Sequence, residues 1–116
     1  MELLVIVLNK TEYLRGILDG FIDIGIRGAT VIDSAGMGHI IADHIPFLAQ
    51  FAEIEATEKN NSKTIFTVVN CCERDKAIEL VEDIIGDINE PDTVFLFSVP
   101  VNIVKGLAIK GCGECQ

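Results

Sequence analysis

An α+β sandwich built from two βαβ halves is the fold class that this sequence predicts. Three observations carry it: an internal repeat, a matched pair of helix caps and two glycine stops. The repeat has an offset of 61 residues, so that Val7-Leu8-Asn9-Lys10-Thr11-Glu12 aligns with Val68-Val69-Asn70-Cys71-Cys72-Glu73. At the same offset Ile17 meets Ile78, Ile24 meets Ile85 and Gly25 meets Gly86. Asn9 and Asn70 stand at N-cap positions, with Glu12 and Glu73 three residues on. That is the spacing of a reciprocal capping box, which satisfies orphan amides at both ends of the first turn. Two such halves give the ferredoxin-like βαββαβ arrangement, a fold that carries function in its loops.

The elements follow in order. Leu3 to Leu8 is almost wholly apolar, as a strand covered on both faces is. The first helix is expected over residues 10–24, with Leu14, Ile17, Leu18, Phe21 and Ile22 as its apolar stripe and Arg15, Asp19 and Asp23 toward water. Gly25 ends it. A second strand is expected over residues 29–35 and a third over 64–70. The second helix then buries Ala77, Ile78, Val81, Ile84 and Ile85 and stops at Gly86. The fourth strand spans residues 93–99, where Pro100 ends regular pairing, and residues 101–109 form an extra short strand or an arm. Between the second and third strands lies a loop, residues 36–61, far longer than a hairpin needs. Pro46 suits the first turn of a helix there, with Phe47, Leu48, Phe51 and Ala52 on one face. That face either packs back on its own sheet or docks on a neighbouring subunit or partner protein.

At 116 residues the chain makes one domain with a modest core. The longest apolar runs are too short to span a membrane. The opening segment, Met1 to Leu8, lacks a basic leader and a small-residue cleavage site, so a cytoplasmic location is expected. Nine basic residues against eighteen acidic ones give a net charge of −9, which repels phosphate backbones and argues against nucleic-acid binding. No Gly-x-Ser-x-Gly elbow, phosphate-loop signature or His-Glu-x-x-His helix occurs. The chain is therefore read as not an enzyme.

The run Gly28-Ala29-Thr30-Val31-Ile32-Asp33-Ser34-Ala35-Gly36-Met37-Gly38 resembles that of the nitrogen regulatory PII proteins. They carry glycine, threonine, valine, an acidic residue and then a glycine–aromatic–glycine at this spacing. Lys10 after the first strand and the long loop after the glycine pair agree in order. The resemblance covers residues 1–110 as one PII-like domain and leaves 111–116 as a cysteine-containing tail. It implies a homotrimer that grips an adenine nucleotide between subunits, and by position it points to Thr30, Gly36, Gly38, Gly86 and Lys105 as ligand-binding residues. It also implies that the long loop, through Phe47, Leu48 and Phe51, docks on a transporter or enzyme.

The departures from the family pattern are chemical. Gly86-Asp87 is followed by Ile88-Asn89-Glu90-Pro91-Asp92, so phosphates would meet three carboxylates. The family's arginine pair is replaced by Lys105 and Lys110, which lack a bidentate fork. The sole tyrosine, Tyr13, lies on the first helix and not on the long loop. The sequence thus reads as a PII-like protein divergent from the true nitrogen sensors.

Cys112-x-x-Cys115 resembles the terminal cysteine pair of the PII-like branch associated with bicarbonate transport, and its spacing suits a small disulfide ring or half of a zinc site. Cys71 and Cys72 open the second helix and read as small buried hydrophobes. His39 and His44 read as solvated loop histidines rather than metal ligands. Two classes of function compete: a regulatory trimer that senses a small effector, or a metal- or redox-responsive trimer related to the cation-tolerance proteins that uses Cys112 and Cys115. No cofactor is firmly implied; an adenine nucleotide and a divalent metal are the candidates.

Overall fold

The central strand, β1 (Glu2–Leu8), is hydrogen-bonded on both sides and is antiparallel to both neighbours. In this computed structural model, which describes residues 1–37, 40–41 and 62–106, the chain then makes a 3-10 turn (Thr11–Tyr13) and helix α1 (Leu14–Asp23). Strands β2 (Thr30–Ser34) and β3 (Ser62–Val69), helix α2 (Cys71–Ile85) and strand β4 (Val94–Pro100) follow. The sheet order is β2-β3-β1-β4, so each βαβ half spans a strand of the other. The result is a small α+β domain, a four-stranded antiparallel sheet with two helices, compatible with a ferredoxin-like fold.

The period of two along the strands sorts the side chains. Leu4, Ile6 and Leu8 of β1 join Ile65 and Val69 of β3, Ile17 and Phe21 of α1, and Ala77 and Val81 of α2 in one core. Val94 and Leu96 of β4 pack at its border. The alternate residues face the other way: Leu3, Val5 and Val7, then Phe66 and Val68, then Phe95, Phe97 and Val99, in cross-strand register. Among the described residues no helix covers this second face. Phe95 is 60% exposed and Ile32 on β2 47% exposed, whereas Val5, flanked by Phe66 and Phe97, is only 6% exposed. Phe95 and Phe97 lean on each other with ring centroids 5.4 Å apart.

The helices meet where a side chain is missing. A Cβ built on Gly20 would lie 2.5 Å from Leu80 Cδ2, so the bare backbone of α1 at this position is what lets α2 approach. The C-terminus of α1 is a full Schellman motif. The Gly25 N–H donates to the Ile22 carbonyl at 3.1 Å and the Ile26 N–H to the Phe21 carbonyl at 2.8 Å, with Gly25 at φ +97°. Ile26 and Phe21, the apolar pair of that motif, are both buried in the core.

The expected elements shift in places. Asn70 makes the capping box in full: its side chain accepts from the Glu73 N–H at 2.8 Å and Glu73 accepts from the Asn70 N–H at 3.0 Å. Asn9 does not cap the first helix. Its N–H is drawn to the Thr93 carbonyl at 3.0 Å, so it is unavailable to Glu12, and Lys10 begins the 3-10 turn with no side-chain cap. The α-helix proper therefore starts at Leu14 instead of residue 10. Ile22 is not in the apolar stripe but 64% exposed, and Gly20 takes the buried position on α1. Pro100 is itself the last paired residue of β4. As an edge-strand proline it gives up no inner hydrogen bond, and the Val101 N–H still reaches the Met1 carbonyl at 3.1 Å. Residues 101–106 form no strand.

These two caps make opposite predictions. Asn70→Ala should lower unfolding free energy by about 1 kcal/mol, whereas Asn9→Ala should change it by less than about 0.5 kcal/mol. Urea denaturation of the two variants checks both.

Candidate functional site

The register gathers four chain segments at one end of the sheet. Leu8 of β1 lies between Lys63 of β3 and Val94 of β4, and Ser34 of β2 pairs with Ser62. Both roots of the long loop, Lys10 and the loop from Gly86 to Thr93 therefore share that end. Gly86 closes α2 at φ +88° with its N–H on the Glu82 carbonyl at 2.8 Å, a conformation that favours glycine. Asp87 folds the next turn by accepting from the Asn89 N–H at 3.0 Å. Asp92 adopts φ +57°, and Thr93, 1% exposed, anchors the loop. Its carbonyl accepts from the Asn9 and Lys10 N–H groups, and its hydroxyl donates to the Pro91 carbonyl at 3.3 Å.

The electrostatics of this end are acidic. Asp87, Glu90 and Asp92 are all exposed. The Lys10 ammonium is 3.7 Å from the Glu90 carboxylate, a solvent-exposed pair of small energetic weight. That contact diverts the lysine toward the loop's own charge. Among the described residues no group of three or more His, Cys, Asp and Glu side chains is placed to hold a metal ion.

Of the residues implied by the family resemblance, Thr30, Gly36, Gly86 and Lys105 are among the described residues. Gly36 lies at the root of the long loop, where its carbonyl accepts from the Ile40 N–H at 3.1 Å. Gly86 shares that end of the sheet. Thr30 opens β2 four residues before Ser34, opposite Phe66 in mid-sheet, and is exposed. Lys105, also exposed, follows β4 beyond Pro100. Pro100 pairs with Glu2 at the opposite end of the sheet, and β4 and β2 are opposite edges. Gly38, His39 and His44, the loop residues Phe47, Leu48 and Phe51, and the tail residues Cys112 and Cys115 lie outside the described residues.

Two polar clusters escaped the sequence reading. At the root of the long loop the Ser34 hydroxyl is 2.6 Å from that of Ser62 and 2.8 Å from that of Thr64, tying β2 to β3 on the sheet face opposite the helices, while the Lys63 ammonium pairs with Asp33. Alternating small hydroxyls on either side of the loop were the available signal, but their register across 28 residues was not. At the far end Arg74 bonds Asp75 and reaches the Glu2 carboxylate, which also accepts from the Ser98 hydroxyl at 2.8 Å. The hydrogen bond to Asp75 raises the Arg74 guanidinium above its ordinary value. Cys71 and Cys72 are half-buried at the start of α2, and Cys72 is disulfide-bonded rather than an inert core thiol.

No family model matches the chain, and no curated protein matches it. No helix among the described residues is long and apolar enough to cross a membrane.

The acidic loop has a direct consequence for anions. Calorimetric titration of ATP without divalent metal is expected to show no low-micromolar binding, because phosphates brought to this end meet Asp87, Glu90 and Asp92. A low-micromolar isotherm would contradict that electrostatic reading.

Proposed function

We propose that this chain is a small PII-like regulatory protein: a homotrimer that senses a small effector and docks on a target protein through residues 36–61. The observation that carries the reading is the apolar sheet face that no helix among the described residues covers, with Leu3, Val7, Phe66, Val68, Phe95, Phe97 and Val99 on one side of three adjacent strands. Contiguous apolar surface of this kind marks an interaction site in a polar protein, and three sheets turned inward around a common axis would bury it. Thr30 lies on the β2 edge of the sheet and Lys105 follows the β4 edge in sequence. That arrangement suits a ligand set shared between the β2 edge of one subunit and the β4 edge of another.

The effector is a small molecule of modest negative charge, or an adenine nucleotide accompanied by a cation that offsets the carboxylates. The target is a transporter or an enzyme held at the long loop. A second reading, a metal- or redox-responsive trimer using Cys112 and Cys115, is favoured by one observation, the oxidised state of Cys72. Thermal-shift measurements separate the two, because a ligand stabilises only the state that binds it. Stabilisation by nucleotides supports the effector reading. Stabilisation by a divalent metal that disappears in the Cys112→Ser/Cys115→Ser variant supports the other.

Light scattering at micromolar concentration is expected to give the mass of a trimer, and Phe95→Asp is expected to dissociate or unfold it. A wild-type monomer would contradict the assembly. Deleting residues 43–59 tests the docking role. If the loop serves a partner, the trimer keeps near-native stability, since loop length itself costs little. If Phe47, Leu48 and Phe51 are core or intersubunit anchors, the deletion costs several kcal/mol, at about 1.5–3 kcal/mol for each side chain.

A further inference from the structure

We infer that polar contacts at Asp33, Ser34 and Thr67 act as a register lock: they fix where the edge strand β2 lies along β3, and with it the positions of Thr30 and of the loop root at Gly36. The lock is a property of the two strands and is independent of the function proposed above. The usual determinants of register are weak here. A tight turn sets the pairing of a hairpin, but 28 residues separate Ser34 from Ser62. A buried face also sets it, through its apolar alternation. In β2, however, Thr30, Val31, Ile32 and Asp33 are exposed and Ser34 is half-buried, and among the described residues the strand pairs only with β3.

The contacts hold both ends of the ladder and both faces of the sheet. Ser34 stands opposite Ser62, and its hydroxyl lies 2.6 Å from that of Ser62 and 2.8 Å from that of Thr64. Asp33, on the other face, accepts a hydrogen bond from the Lys63 ammonium directly across the pair. At the start of the strand the Thr67 hydroxyl donates to the Gly28 carbonyl at 2.7 Å, two residues before Thr30. Thr67 is 2% exposed, so moving Gly28 away would take the acceptor from a buried hydroxyl, which is costly.

A slip by two residues keeps every side chain on its own face, so it is the competing register. Sliding β2 until Ser34 faces Thr64 sets Asp33 opposite Ile65, which is wholly buried, and Val31 opposite Thr67. The carboxylate then loses its lysine, Thr67 loses the Gly28 carbonyl and Ser34 leaves Ser62. The apolar side chains discriminate little: Val31 gives up Ile65 as its opposite residue, but Ile32 exchanges Thr64 for Phe66. The choice between the two registers therefore lies in the polar contacts. The slip would carry Thr30 and Gly36 roughly 7 Å along β3, so these contacts position both residues without touching either.

Solution NMR of the full-length protein reads the register from cross-strand contacts, and amide exchange reads how readily the strand opens. In the wild type, contacts of Val31 with Ile65 and of Ile32 with Thr64 are expected. In Asp33→Ala/Ser34→Ala/Thr67→Val the amides of residues 30–34 should exchange about tenfold faster or more, or contacts of Ile32 with Phe66 should appear, while β1 and β4 keep their wild-type exchange rates. Thr67→Ser, which keeps the hydroxyl, should behave as the wild type does. Should the triple variant fail to fold, Asp33→Ala/Ser34→Ala, which changes only exposed and half-buried side chains, carries the same expectation. Wild-type pairing and exchange in the variant would overturn the inference. So would an equal acceleration in all four strands, which marks a general loss of stability rather than a lock on one of them.

Discussion

Among the described residues, helices α1 and α2 cover only one face of the four-stranded sheet, and the strands are apolar on both. The inner face is settled by α1 and α2, which close over Leu4, Ile6, Leu8, Ile65 and Val69. The outer face carries Phe66, Val5 and Phe97 in one cross-strand row, with Val7 and Phe95 on one side of it and Leu3 and Val99 on the other. Of these, Phe95, Phe97 and Val99 are exposed, and a side chain of this kind gains about 1.5–3 kcal/mol on full burial. The proposed assembly of several copies rests on removing water from those side chains.

The polar groups are arranged so that this burial need not disturb the core. Among the described residues no buried side-chain nitrogen or oxygen lacks a partner. At one end of the sheet Glu2, Arg74 and Ser98 link three elements. At the other, Thr93 locks the turn after β1 against the loop before β4, so Asp87, Glu90 and Asp92 are presented from a fixed backbone. Three exposed carboxylates at this end of the sheet disfavour polyanions on electrostatic grounds.

Much of this was legible in the sequence because it was local or periodic. The glycine stop at Gly25 and the capping box at Asn70 are short-range signals, and the near-continuous apolar run of β1 marked a strand covered on both faces. The repeat failed at Asn9 for a reason no local rule contains: its amide is claimed by Thr93, which is 84 residues away. Ile22 and Gly20 exchanged roles on α1 because α2 packs closest where α1 has no side chain. The candidate ligand residues were named by resemblance and not by chemistry. The hydroxyl cluster of Ser34, Ser62 and Thr64 was invisible because it needs a register set across the long loop.

The central claim is that the outer sheet face is buried by other copies of the chain, which couples folding to association. The melting temperature measured over a hundredfold range of protein concentration tests this directly. A melting temperature that rises steadily with concentration is the predicted result. One that stays constant down to nanomolar protein, with a monomeric folded state, would contradict the account.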